Sequence, residues 1–136
     1  MSTKLRADIS KSNKYWISKH RYYELLHFCL QYKEIKEMYI STLERDARGL
    51  LKVRNPEWSD PTSDISARRE FLKSKLDSIE NSATTADEYL ASYILKGVTE
   101  GRSYTYLRTF LDMPCGKDRY YDLRRKFFWI LDKVRK

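Results

Sequence analysis

The sequence predicts an all-α fold of about five helices, closing in a helix-turn-helix. Two observations carry that prediction. Apolar residues recur at three- and four-residue spacings along most of the chain, the mark of amphipathic helices. Only four glycines and three prolines occur in 136 residues, too few for a turn-rich β fold. A chain of this length suits one compact domain, or one domain plus an arm.

The division expected is a basic arm, a long helix and a connector over 1–60, then a helical domain over 61–136. Residues 1–14 are polar, contain four lysines or arginines, and read as a loose arm. Tyr15-Trp-Ile17 is apolar punctuation before Ser18, a residue suited to cap a helix. A helix from about Lys19 to Leu43 follows. Tyr22, Leu25, Leu26, Cys29, Tyr32, Ile35, Met38 and Tyr39 mark its broad apolar face, and Gln31–Lys33 is a permitted but not a required break. His20 and His27 share a face with no third ligand at helical spacing, so surface or packing roles are expected in place of a metal site. Residues 44–63 form a connector, interrupted by Gly49, Asn55-Pro56 and Ser59-Asp60-Pro61. Trp58 is expected to pin it to the core.

A second long helix is predicted from about Asp64 to Ala83, with Ile65, Leu72, Leu76, Ile79 and Ala83 as its stripe. Glu70 and Asp77 stand at helical spacing from its basic residues. Thr85 and Glu88 match a capping box that opens a helix over 86–100. Tyr89, Leu90, Tyr93, Ile94 and Val98 are expected inside, and Gly101 is placed to terminate it. Ser103 can cap the next helix, 103–111, whose Leu107, Phe110 and Leu111 share a face. The corner Asp112-Met-Pro-Cys-Gly116 holds a proline and a glycine within five residues, so the helix must break there.

The last helix, 117–135, carries Tyr120, Leu123, Phe127, Ile130, Leu131 and Val134 as its stripe. Its opposite face and flanks carry Lys117, Asp118, Arg119, Tyr121, Asp122, Arg124, Arg125 and Lys126. Arginine and lysine reach guanine edges or phosphates, and tyrosine stacks or donates to phosphate. A short helix, a tight corner and a longer basic helix make a helix-turn-helix, whose second helix enters the major groove. Lys117, Arg119, Tyr121, Arg124, Arg125 and Lys126 are therefore the expected contacts to double-stranded DNA. Arg125 is the expected base reader, and Lys117 and Arg124 the expected phosphate contacts. Phe127-Phe128-Trp129 cannot share one helical face, so the second half of this helix needs cover on more than one side. The N-terminal helices or a second subunit, making a homodimer, would supply it.

Ser103-Tyr-Thr-Tyr-Leu107 and Tyr120-Tyr-Asp-Leu-Arg-Arg-Lys-Phe-Phe-Trp-Ile-Leu131 resemble the C-terminal region of phage transcriptional regulators of the ArpU and RinA type. That region is in turn similar to region 4 of bacterial sigma factors. The resemblance covers roughly residues 86–131. It departs at Pro114, Cys115 and Gly116, where sigma-like corners usually carry small polar residues. It implies a regulator of late phage or prophage genes, and a sigma-like architecture would permit contact with RNA polymerase.

The net charge of +8 is unevenly spread. Six basic residues face one acid over 1–23, eleven face fourteen over 24–101, and ten face four over 102–136. Basic ends around an acidic middle suit a directed polyanion contact. No apolar run approaches the roughly 18 residues of a membrane span. The start lacks a signal core, and two distant cysteines, Cys29 and Cys115, read as thiols, so a cytoplasmic setting is expected. Phosphate-loop, zinc-ligand and nucleophile motifs are absent. The chain is expected to be no enzyme and to need no cofactor. A second reading, from a different class, is a helical protein-interaction module, such as a phage-encoded inhibitor of a host nucleic-acid-binding protein. Eleven tyrosines and three tryptophans would also suit such an interface.

Overall fold

The computed structural model describes residues 11–49 and 61–135, with side chains over 11–45 and 65–135. Within them the chain is all-α, without a strand. Its six helices are α1 (Lys19–Leu30), α2 (Tyr32–Gly49), α3 (Pro61–Ala86), α4 (Ala91–Glu100), α5 (Tyr104–Phe110) and α6 (Lys117–Val134). Trp58 and the first ten residues lie outside the described residues.

The expected helix 19–43 is two helices, because the chain breaks at Gln31. The Gln31 N–H donates back to the Phe28 and Cys29 carbonyls, which tightens and ends α1. The chain also groups by contacts in a way that does not follow the expected division near residue 60. Residues 1–31 and 78–136 group as one compact unit, and 32–77 as another. α3 belongs to the second unit through Asp77 and to the first from Ser78.

In the first unit, α4 packs against α1, α5 and α6, and α1 packs against α6. The core has no exposed surface at Leu25, Cys29, Ile79, Ile94, Val98, Leu107, Met113, Phe127 or Leu131. In the second unit the buried positions are Ile35, Thr42, Leu72 and Leu76. Met38, Ile40, Leu43 and Phe71 there are exposed, so the apolar face expected to include Met38 is narrower than its spacing implied.

Local chemistry explains the boundaries. Ser18 caps α1 by accepting from the Arg21 N–H, and Ser103 caps α5 by accepting from the Tyr106 N–H. Gly101 ends α4 at φ 69°, left-handed backbone that suits a residue without Cβ. The Thr85–Glu88 capping box does not form. α3 runs on to Ala86, and Asp87 does the work three residues early, its Oδ1 accepting from the Tyr89 and Leu90 N–H groups at 2.9 and 3.0 Å. That shift turns Tyr89 outward to 86% exposure, where an inward position was expected.

Candidate nucleic-acid interface

α5, the corner and α6 form the expected helix-corner-helix, with α4 behind them. The corner is held by polar bonds to its backbone. The Leu111 and Met113 N–H groups both donate to the Leu107 carbonyl, and Asp112 between them takes the left-handed conformation at φ 58°. Aspartate tolerates that region better than most residues. Arg108 donates to the Met113 carbonyl at 2.7 Å, and the Tyr104 hydroxyl to the Cys115 carbonyl at 3.1 Å. Met113 is thereby fully buried. This corner differs from a small polar one by burying a side chain. Phe110 leaves the core face assigned to it and is 72% exposed.

α6 begins without a side-chain cap, at Gly116, and its halves differ. Tyr120, Leu123, Phe127, Phe128 and Leu131 are buried. Cover for the second half comes from this same chain. Tyr22 meets the Phe128 ring edge-on at 5.0 Å, and Tyr15 lies 5.5 Å from the Trp129 ring. Arg21 donates from Nε to Asp132 at 2.6 Å and also reaches the Arg135 carbonyl. Val134, counted in the stripe by spacing, is 58% exposed at the end of the helix.

The six expected contacts do not share one fate. Lys117 and Arg119 are exposed on the first turn. Arg119 also pairs with Asp87 at 3.0 Å, which ties the start of α6 to the turn before α4. Tyr121 is half-buried, with its ring beside Tyr104 and Tyr120. Arg125 is not the most projecting side chain. It is 30% exposed and 3.7 Å from Asp122, the partner one turn back. Lys126 is half-buried.

Arg124 is half-buried, with its guanidinium directed at α1. It donates to the Tyr22 hydroxyl at 3.4 Å and lies 5.3 Å from the centre of the Phe128 ring. Burial works against its charge, but the Tyr22 and Tyr120 hydroxyls outweigh that and hold the guanidinium above its ordinary pKa. Its place on the helix flank pointed outward in sequence, and only the packing of α1 on α6 brings the Tyr22 ring to it.

Nothing matches this chain among family models, curated proteins or solved structures.

Other features escaped the sequence reading. Arg102, Tyr106 and Phe110 form a row at four-residue spacing, with the guanidinium 4.3 Å from the Tyr106 ring and the two rings 5.2 Å apart. The spacing itself was a signal for this row. Gly97 in α4 faces Tyr120, and a Cβ there would stand 2.1 Å from the tyrosine hydroxyl oxygen. Both cysteines are free thiols, as expected. Burial pushes the Cys29 thiol up to about 12, despite the nearby charges of Arg124 and Arg135. Burial likewise raises Cys115. No group of residues suited to a metal occurs among the described residues, and none of their helices is long and apolar enough to cross a membrane.

Proposed function

We propose that this chain is a sequence-specific, double-stranded DNA-binding transcriptional regulator of phage or prophage type, reading DNA with the first two turns of α6. One observation carries the reading: Lys117 and Arg119 are exposed there, while the aromatic second half of the same helix is covered by α1 and Tyr15. The helix-corner-helix order and the basic 102–136 segment support it. So does the resemblance of residues 86–131 to the ArpU and RinA regulators, which extends the proposal to late-gene control and contact with RNA polymerase. Base reading is assigned to Arg119 and Arg125, and phosphate contact to Lys117 and Lys126. Tyr121 lines the edge, and Arg124 acts from within the fold.

The test is fluorescence anisotropy with duplexes selected from random sequence, repeated over a salt series. Arg119→Ala should cost roughly 1–3 kcal/mol on the selected site and relax preference at one position. Lys117→Ala should weaken all duplexes alike and reduce the salt slope by about 0.9. Folded variants that bind every duplex like the parent would remove α6 as the reader. The protein-interaction reading would then lead, because the Arg102–Tyr106–Phe110 row and Tyr89 expose aromatic surface.

A further inference from the structure

A cavity of about 180 Å³ opens between α1, the end of α4, the start of α5 and the first half of α6. Its polar wall is Arg102, Ser103, Tyr104, Tyr120, Tyr121 and Arg124, and Leu26 and Leu30 give it an apolar side. The wall contains two arginines and no carboxylate. Arg102 sits at the rim, where its Nε is 3.4 Å from the exposed Glu100. Arg124 is different. It makes no ion pair with an acid among the described residues, and its partners are tyrosine hydroxyls and an aromatic ring. Its Nε is buried without a hydrogen-bond partner among the described residues. Neutral hydroxyls satisfy the direction of a guanidinium hydrogen bond but bring no opposing charge, and buried charges are ordinarily paired.

We propose that this cavity is a phosphate-binding pocket, with Arg124 as its principal cation and Arg102 as a second at the rim. Arginine is suited to phosphate because its planar fork presents several donors at once. Arg102 and Ser103 border the space at the start of α5, and Tyr120, Tyr121 and Arg124 border it from α6, so polar side chains line it from two sides. A cavity of this volume has room for a phosphate group. Two sources share that chemistry: a free phosphorylated small molecule and a backbone phosphate of a nucleic acid. The proposal does not rest on the duplex-reading role of α6.

The experiment is a titration of the full chain with inorganic phosphate at constant ionic strength, followed by NMR through backbone amides and arginine Nε–H signals. The expected result is one saturable transition that moves Gly97, Gly101, Ser103 and the Arg124 Nε–H together. Acetate should move them at least tenfold more weakly. Arg124→Lys keeps the charge but loses the fork, and should bind phosphate at least tenfold more weakly. Arg124 also holds Tyr22, so Arg102→Gln serves as a second variant that leaves the Tyr22 contact alone; it should weaken binding several-fold, with other amide changes confined to the neighbourhood of Glu100 and Tyr106. Adding duplex DNA separates the sources. Displacement of phosphate by the duplex assigns the pocket to the nucleic-acid backbone, and simultaneous binding assigns it to a free ligand. A drift without saturation over all basic residues, or unchanged phosphate binding in both folded variants, overturns the proposal. Neither result bears on whether α6 reads DNA, which the anisotropy series decides on its own.

Discussion

Gly97 and Tyr120 define one another. Tyr120 is 1% exposed and its ring packs between those of Tyr104 and Tyr121, which hold its hydroxyl against position 97. Alanine is ordinarily the better helix residue, favoured over glycine by about 1 kcal/mol. Here the steric term should win, and Gly97→Ala should destabilise the protein by roughly 1–3 kcal/mol in chemical denaturation. A more stable Gly97→Ala would mean the tyrosine hydroxyl does not occupy that space in solution. Cys29 makes a second residue-scale prediction. A thiol raised to about 12 and without exposed surface should resist alkylation in the folded protein at pH 8 and react at once in denaturant. The sign for stability follows from the same shift: burial favours the neutral thiol, so its contribution is whole below about pH 9 and is lost as pH rises toward 12. Substituting Cys29 by alanine should remove that part of the alkaline loss.

At the scale of the element, α6 is two helices in one: a polar start and a clamped end. Phe128 is 2% exposed against Tyr22, whereas Trp129 is half-buried between Tyr15 and the Lys133 ammonium, 3.6 Å from its ring. Phe128→Ala should therefore cost roughly 3–5 kcal/mol, and Trp129→Ala distinctly less. The reverse order in paired melts would show that Tyr15 and its neighbours cover more than the rings they touch. Much of this element could be read from spacing: the buried stripe, the Ser103 and Gly101 boundaries, and the need for cover over three adjacent aromatics. Arg124 could not be read, since spacing places a residue on a face but does not say which distant helix lies over that face. The same limit hid Phe110. A seven-residue helix presents too few positions to distinguish its core side from the side next to it. The start of α4 failed for a different reason. Asp87 and Thr85 both offer capping oxygens, and only the continuation of α3 to Ala86 decides between them.

For the whole molecule, the relevant fact is that the first unit is discontinuous in sequence. Its N-terminal part is joined to its C-terminal part by Arg21 on Asp132 and Tyr15 on Trp129. Tyr15 and Trp16 also sit in a turn closed by the Trp16 N–H donating to the Asn13 carbonyl. Of the loose arm expected over 1–14, residues 11–14 belong to a turn with Lys14 5.0 Å from the Tyr15 ring, and the rest lies outside the described residues. Truncation before residue 17 should lower the melting temperature by roughly 3–8 °C relative to truncation before residue 11. Equal melting of the two would show that Tyr15 adds nothing to the cover on Trp129. A division near residue 60 is expected because Gly49 and two of the three prolines, Pro56 and Pro61, lie close to it. Breaks in helical structure mark loops, and the two halves of one core can lie on either side of several loops.

The span from Arg21 to Asp132 is 111 residues. A ribosome adding about 5–20 residues each second needs roughly 5–20 s to cross it. Through that interval Tyr22, Leu25 and Phe28 emerge without the helix that will bury them. Folding of this unit is therefore set to follow the synthesis of α6 rather than to proceed alongside it. A nascent chain stalled before residue 117 would present the α1 apolar face to chaperones, and pulse-labelling of released chains ending at residues 110 and 136 should show protection in α1 only for the longer one.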